Sequence, residues 1–292
     1  TGDKLRHRQF ALKIQHQFPE LVKKWYEVNN TSSTLKTLNN KPIASSKLVR
    51  IKTIFSQKFI PYYKAYGLYR VAVKIISEVF EKIDEKRYSK EKDVSDKKIF
   101  GYGISRLEKS KVIEATKIES SQINSLEVIE ELKKINPYFI LTLGGPLYKT
   151  KLLNCARGVA MNQHAGHSPD FKGTRTTEWA IYHRDLKKIS NTVHITSSGA
   201  DDGKIIRRSN PCIFPSDSIP MIIDRVIALG TELVIEVIND IIKTNEVTVF
   251  EQPKFKGNTF LAKDMDFKVI KRCIVDFKKG WLSKALERNR TY

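Results

Sequence analysis

The chain has 292 residues, 40% of them hydrophobic and 29% charged, a balance that excludes wholesale disorder and allows one large α/β domain with an appendage or two small domains. Its net charge of +20 favours anionic partners, but basic residues run from Lys4 to Arg290 without a dense tract, so general surface use of lysine explains the charge better than a nucleic-acid patch. Cys155, Cys212 and Cys273 form neither a disulfide framework nor a metal-ligand spacing, which suits a cytoplasmic setting. Met221 to Ile242 is interrupted by Asp224, Arg225, Glu232 and Glu236, so no membrane span is expected.

Thr1-Gly2-Asp3 reads as a loop after a strand, as though a first strand had been cut away, and Phe10, Ile14 and Phe18 are spaced as one helix face. Asn29 to Ser46, rich in Asn, Ser, Thr and Lys, reads as loop. A long helical pattern runs from Phe55 to Lys86, where Ile76, Val79, Phe80 and Ile83 keep the rhythm of a buried face and Pro61 and Gly67 divide it in two. Its aromatics interleave with lysines, an arrangement read here as helix packing against the main sheet rather than a stacking platform.

Lys111 to Thr116 is expected to be a strand. Ser125 then caps a helix from Leu126 to Asn136, with Leu126, Ile129 and Leu132 on one face. Tyr138 to Leu143 is an apolar strand that ends in Gly144-Gly145-Pro146-Leu147, and neither GxGxxG nor a P-loop motif occurs in the chain.

Gly158 to Met161 reads as a buried strand, followed by Asn162 and His164 on a turn rich in Gly and Pro. A helix follows from Thr176 to His183. Asn191 to Ile195 alternates like a second strand and delivers Ser197 to Gly203. If both strands lie in one parallel sheet, their carboxyl ends open on the same edge and bring Asn162, His164 and an Asp together. An amide, an imidazole and a carboxylate can move a carbonyl carbon onto an amine: the amide steadies the oxyanion, the imidazole moves a proton and the carboxylate takes the proton shed by the amine. Ser168 lacks a GxSxG turn, and His164 with His167 makes a poor zinc site, so no metal is expected. A helix or helix pair spans Pro220 to Lys243 with Ser218 near its start. Beyond it come Gln252-Pro253 and a helical pattern in Phe267, Ile270, Ile274 and Phe277.

The ordered motifs Asn162-x-His164, Ser168-Pro169, Lys172-Gly173, Thr192-Val193-His194 and Asp201-x-Gly203-x-Ile205 resemble the folate-dependent formyltransferases, closest in style to the small-molecule and amino-sugar N-formyltransferases. One phrase departs from the family, whose His-Pro-Ser-Leu-Leu-Pro is here His164-Ala165-Gly166-His167-Ser168-Pro169. The resemblance implies an α/β, Rossmann-like formyltransferase fold with a mostly parallel central sheet. It places the formyltransferase domain at 1–243, with a helical insertion at about 55–95, and a C-terminal helical extension at 244–292.

The same resemblance implies transfer of a formyl group from 10-formyltetrahydrofolate to a primary amine, with Asn162, His164 and Asp201 as the catalytic amide, imidazole and carboxylate. Asp202 is the neighbouring alternative, but Asp201 fits the motif's register. Gly145, Pro146, Leu147, Gly199 and Ala200 are the implied cofactor contacts, and Gly2, Lys4, Arg6 and Arg8 the implied grip on an anionic, phosphorylated or nucleotide-linked acceptor. Too few alternating strands remain for the C-terminal β-barrel of methionyl-tRNA formyltransferases, which argues against a tRNA acceptor. Hydrolysis of 10-formyltetrahydrofolate by the same residues is the enzymatic alternative, and an RNA-binding relative without catalysis the other. A homodimer stays open.

Overall fold

The computed structural model describes residues 1–29, 60–108, 112–253 and 257–290. The chain divides into two compact units, Thr31–Lys90 and the remainder, Thr1–Asn30 with Glu91–Tyr292. In chain order the elements are α1 (Leu5–Gln17), β1 (Tyr26–Asn29), α2 (Ile60–Asp96), α3 (Tyr102–Leu107), β2 (Thr116–Glu119), α4 (Leu126–Ile135) and β3 (Phe139–Leu143), then α5 (Thr150–Leu153), β4 (Val159–His164), β5 (Phe171–Gly173), α6 (Thr176–Tyr182) and β6 (Asn191–Ile195). The chain continues through β7 (Ile205–Ser209), α7 (Ile219–Thr244), β8 (Asn258–Phe260), α8 (Phe267–Lys278) and α9 (Trp281–Arg290).

Among the described residues the strands form three sheets: β1-β2, the four-stranded β3-β4-β6-β7, and β5-β8. The β1-β2, β3-β4 and β5-β8 pairs are parallel, whereas β6 runs antiparallel to both β4 and β7. The expected parallel relation between the Asn162 strand and the Asn191 strand is therefore corrected. Period-two alternation fixes which side chains share a face but reads the same in either strand direction. Between β1 and β3 lies a cavity of about 520 Å³, lined by Tyr26 on one side, Phe139 to Leu141 on the other, and Phe10 and Ile14 of α1.

β4 also runs further than its apolar run suggests, so Asn162 and His164 stand on the strand itself rather than on the turn after it. Polar residues can occupy a buried strand when their donors find acceptors, and Gln163, 2% exposed, gives its amide N–H to the carbonyl of Ile227. That acceptor belongs to α7, a single helix capped by Ser218, whose Oγ accepts from Met221 N at 3.4 Å, and ended by the left-handed Asn245. Asn191 Nδ2 donates to Val226 O at 3.1 Å, and a Cβ at Gly230 would stand 2.3 Å from the amides of both Gln163 and Asn191. Glycine there lets the helix lie close against one face of the four-stranded sheet. Ile222 and Val226 of α7 are fully buried, each contributing roughly 1.5–3 kcal/mol by burial.

Ser125 caps α4 through Val128 N at 3.3 Å, and Val128, Ile129 and Leu132 are buried. Leu126 is 73% exposed, which corrects its placement on the inner face. The expected strand at Lys111 to Thr116 begins only at Thr116, because Ile113 N donates instead to the side chain of Gln15 at 2.6 Å. α2 passes through Pro61 and Gly67 as one helix, since proline in a first turn costs no intrahelical hydrogen bond. Its proposed buried face is overturned: Ile76, Val79, Phe80 and Ile83 are each at least 50% exposed. The readings of residues 30–46 and of Phe55 to Phe59 lie outside the described residues.

At the C-terminal end Asp266 caps α8, accepting from Val269 N at 3.0 Å, and Ile270 and Cys273 are buried. No helix among the described residues is long and apolar enough to cross a membrane.

Candidate active site

Strand register builds the site. Thr142 on β3 pairs with Asn162 on β4, and Asn162 with His194 on β6, so three polar side chains form a row across the sheet. His164 follows on the same face of β4, two residues along. Asp201 reaches this row from the turn after β6, in a left-handed conformation with φ +50°.

Hydrogen bonds fix the orientation of each group. Thr142 Oγ1 donates to Asn162 Oδ1 at 2.9 Å, which points the Asn162 amide nitrogen toward Asp201 Oδ1 at 3.3 Å and His194 Nε2 at 3.2 Å. His194 Nδ1 lies 2.8 Å from Ile195 O, an acceptor only, so Nδ1 carries a proton, and Nε2 stands 3.2 Å from both Asn162 Nδ2 and Asp201 Oδ1. His164 Nε2 likewise donates to Phe171 O at 2.9 Å. Its Nδ1 faces Asp201 Oδ2 at 3.2 Å, a contact that attracts only with a proton between the two atoms. The Gly173 N–H donates to the same Oδ2 at 2.8 Å.

Asp201 is thus bracketed by two imidazoles. Burial alone would push its carboxyl up, but His164, His194 and the Gly173 N–H outweigh that and hold it below the ordinary carboxylate range. For His164 burial is the larger influence and lowers its basicity, with Asp201 pushing back. His164 and His194 are 5% and 2% exposed against 14% for Asp201, so the carboxylate and the half-buried Asn162 are the groups on the rim. Asp202 faces away, accepting from Ser197 Oγ.

The other expected site residues divide. Gly144 and Gly145 both take positive φ, at +64° and +96°, which accounts for the double glycine as a turn requirement. Leu147, 63% exposed, and Pro146 remain on that turn, whose Leu147 O accepts from Asn124 Nδ2. Gly199 and Ala200 lie on the bend leading to Asp201, where a Cβ at Gly199 would meet the Asp202 carboxylate.

At the N-terminus Arg6 faces Asp224 at 3.8 Å and Arg8 faces Glu108 at 2.6 Å, so both are already paired, and Gly2 is buried against the His7 ring. Lys4 stands exposed beside them. Burial and the neighbouring cations drive His7 down to about 3. The neutral ring lies 3.3 Å from where a Gly144 Cβ would stand, which places the start of α1 at the end of β3, one strand from Asn162.

Sequence reasoning had no role for Thr142, His194 or Gly173. Thr192-Val193-His194 stood within the motif set, and its alternation signalled that His194 faces one side of a strand, but the partner strand was not legible. No group of three possible metal ligands occurs among the described residues.

Residues 69–238 match the sequence model described as Formyl transferase. The chain belongs to the formyl transferase family. A methionyl-tRNA formyltransferase from Clostridium botulinum (strain Alaska E43 / Type E3) is 28% identical over 156 residues, which cover 53% of this chain and 48% of that protein. The protein of the same name from Desulforamulus reducens is 30% identical over 129 residues, covering 44% and 39%. The chain spans about half the length of the curated relatives it matches.

Among solved structures, the formyltransferase PseJ from Anoxybacillus kamchatkensis, in complex with UDP-4,6-dideoxy-4-formamido-L-AltNAc and tetrahydrofolate, is 22% identical with a TM-score of 0.43, over 52% of this chain and 76% of that one. A 4-N formyltransferase from Francisella tularensis is 18% identical with a TM-score of 0.43, over 64% and 82%.

Proposed function

We propose that the chain transfers a formyl group from 10-formyltetrahydrofolate to the primary amine of a small anionic acceptor, with nucleotide-linked amino sugars the first class to test. The observation that carries this reading is that Asn162 and His164 both lie within hydrogen-bond reach of Asp201, at 3.3 and 3.2 Å. An amide N–H, a carboxylate, and an imidazole nitrogen facing that carboxylate and able to share a proton with it form the set that acyl transfer to an amine requires.

When bound, the folate co-substrate supplies the formyl carbon already attached to a nitrogen that can leave. Leu147 on the Gly144–Leu147 turn and the bend at Gly199 and Ala200 are the surfaces that would hold it. Asn162 Nδ2, whose 3.3 Å bond to Asp201 is the looser of its contacts, turns one N–H to the formyl oxygen as negative charge grows there. Asp201 accepts the proton that the attacking amine sheds as its bond to the carbon forms. Asp201 hands that same proton, shared with the facing His164 Nδ1, to the nitrogen that departs as its bond to the carbon breaks. His164 touches no substrate atom in this arrangement, because its Nε2 is bonded to Phe171 O and its Nδ1 to Asp201. Lys4, at the end of α1 nearest Asn162, is the exposed cation for the acceptor's anionic group.

The test is a product assay with 10-formyltetrahydrofolate and a panel of UDP- and dTDP-linked amino sugars, with methionyl-tRNA as a further arm. A formamide product formed only with an amine present supports the reading. Formate released at the full rate without any amine overturns it in favour of a hydrolase.

A further inference from the structure

Asp201 O and Gly203 O, two carbonyls of one tight turn, point to the same side and are bridged by a single amide: Gln252 Nε2 donates to Asp201 O at 2.9 Å and to Gly203 O at 2.6 Å. We propose that Gln252 is a positioning residue for Asp201, acting with residues 250–253 and 258–260, which lie outside the family-matched segment, to set the carboxylate in place. The inference rests on the role given to Asp201 above.

Three observations support it. A non-glycine residue at φ +50° sits in a sparsely populated conformation that persists only where the surroundings over-determine it. Gln252 supplies that constraint, since an amide NH2 presents two protons at the angle needed to span two carbonyls whose dipoles would otherwise repel. Gly203 packs directly against the end of β6, where a Cβ would stand 1.9 Å from Ile195 O.

Gln252 is itself held in register. Ile205 N donates to Phe250 O at 2.8 Å and Phe250 N to Ile205 O at 2.7 Å, while Lys204 pairs with Glu251 at 2.6 Å. Both anchors lie on the stretch that follows Asp201.

Residues 258–260 hold the donor on the other side of the same carboxylate. Asn258 N donates to Asp170 O at 3.1 Å, and β8 pairs in parallel with β5, setting Phe260 opposite Gly173. Gly173, at φ +90°, has Phe260 O 2.2 Å from where a Cβ would be, and its N–H bonds Asp201 Oδ2. Residues 250–252 therefore fix the main chain that carries Asp201, and residues 258–260 the donor that aims its side chain.

Gln252→Met keeps the length and apolar stem of the side chain but removes both protons, and Gln252→Glu replaces the donor with a carboxylate facing two carbonyls. The first readout needs no substrate: histidine ring-proton titration by NMR of the full chain, with His164 assigned through a His164→Asn variant. In Gln252→Met the His164 titration should move to lower pH, toward that of Asp201→Asn, as the carboxylate drifts from the ring. The second readout is turnover of 10-formyltetrahydrofolate with the amine found active above, where kcat should fall about tenfold with KM for the donor within about twofold. Gln252→Glu should show the same loss at pH 8 and recover part of it as the pH falls and the new carboxyl gains a proton to donate.

An unchanged His164 titration in either folded variant overturns the proposal, whether or not formyl transfer is found. A variant that loses thermal stability while keeping the wild-type titration and kcat also overturns it, leaving Gln252 an anchor for the C-terminal segment.

Discussion

Asn162, His164 and His194 are polar side chains sunk into a sheet, whereas Ile76, Val79, Phe80 and Ile83 are apolar side chains at least half exposed on α2. Side-chain polarity would have arranged them the other way. What separates the two regions is the supply of partners: every polar atom in the row has a donor or acceptor on a neighbouring strand or turn, and a polar group so paired can be buried at little net cost. The helical stripe repeats every three or four residues, but a repeat states only that those residues share a face. Whether that face is covered depends on another segment.

The contrast can be broken hardest at the row. Asn162→Ala, His164→Ala and Asp201→Asn should each lower kcat about a hundredfold or more in the formyl-transfer assay, the effect of removing a group that acts on developing charge or on the proton. Wild-type turnover in all three would show that the row is structural polar packing. Next in size is a change on the opposite face of the sheet: Ile222→Ala should cost about 2–5 kcal/mol in denaturant unfolding, because this α7 side chain is fully buried.

Thr142→Val tests orientation alone. It removes the hydroxyl that tells the Asn162 oxygen from its nitrogen, and kcat should drop roughly tenfold while thermal stability stays near wild type. A value equal to wild type would mean that Asp201 and His194 suffice to set the amide.

Asp224 offers a smaller effect with a definite sign. Burial raises its carboxyl to about 6 despite the Ser95 hydroxyl at 2.5 Å, so the folded state binds a proton that the unfolded state has already released. Wild-type stability should therefore decline as the pH rises from about 4 through 6. Asp224→Asn should raise Tm on the order of 3 °C at pH 8 and leave it unchanged near pH 4. A gain equal at both pH values would remove titration as the cause. Smallest of all, Ile76→Ser or Phe80→Ser on the exposed stripe should shift unfolding free energy by no more than about 0.5 kcal/mol. A cost near that of Ile222→Ala would show the stripe to be covered in solution.

Read from the sequence, α4, α6, α7 and α8 came within a residue or two of their observed ends, because caps such as Ser125 and Ser218 and a left-handed Asn136 or Asn245 are written locally. The motif order also singled out Asp201 over Asp202, and the structure places the first in the row and the second outside it. The direction of β6 was not legible, nor the ends of β4 and β2, since each is set by a hydrogen-bond partner far away in the chain: His194 for Asn162, α7 for Gln163, Gln15 for Ile113.

The amino-acid order by itself determined where the capped helices α4 and α7 begin and end, and that an amide, an imidazole and a carboxylate follow one another at family spacing. Only the tertiary structure decided that a second imidazole brackets the acid, that Thr142 orients the amide, and that a glutamine some fifty residues away holds the turn. The reason is physical: propensity, capping and periodicity act over one or two turns of chain, whereas register and hydrogen bonding between segments depend on the path of the whole fold.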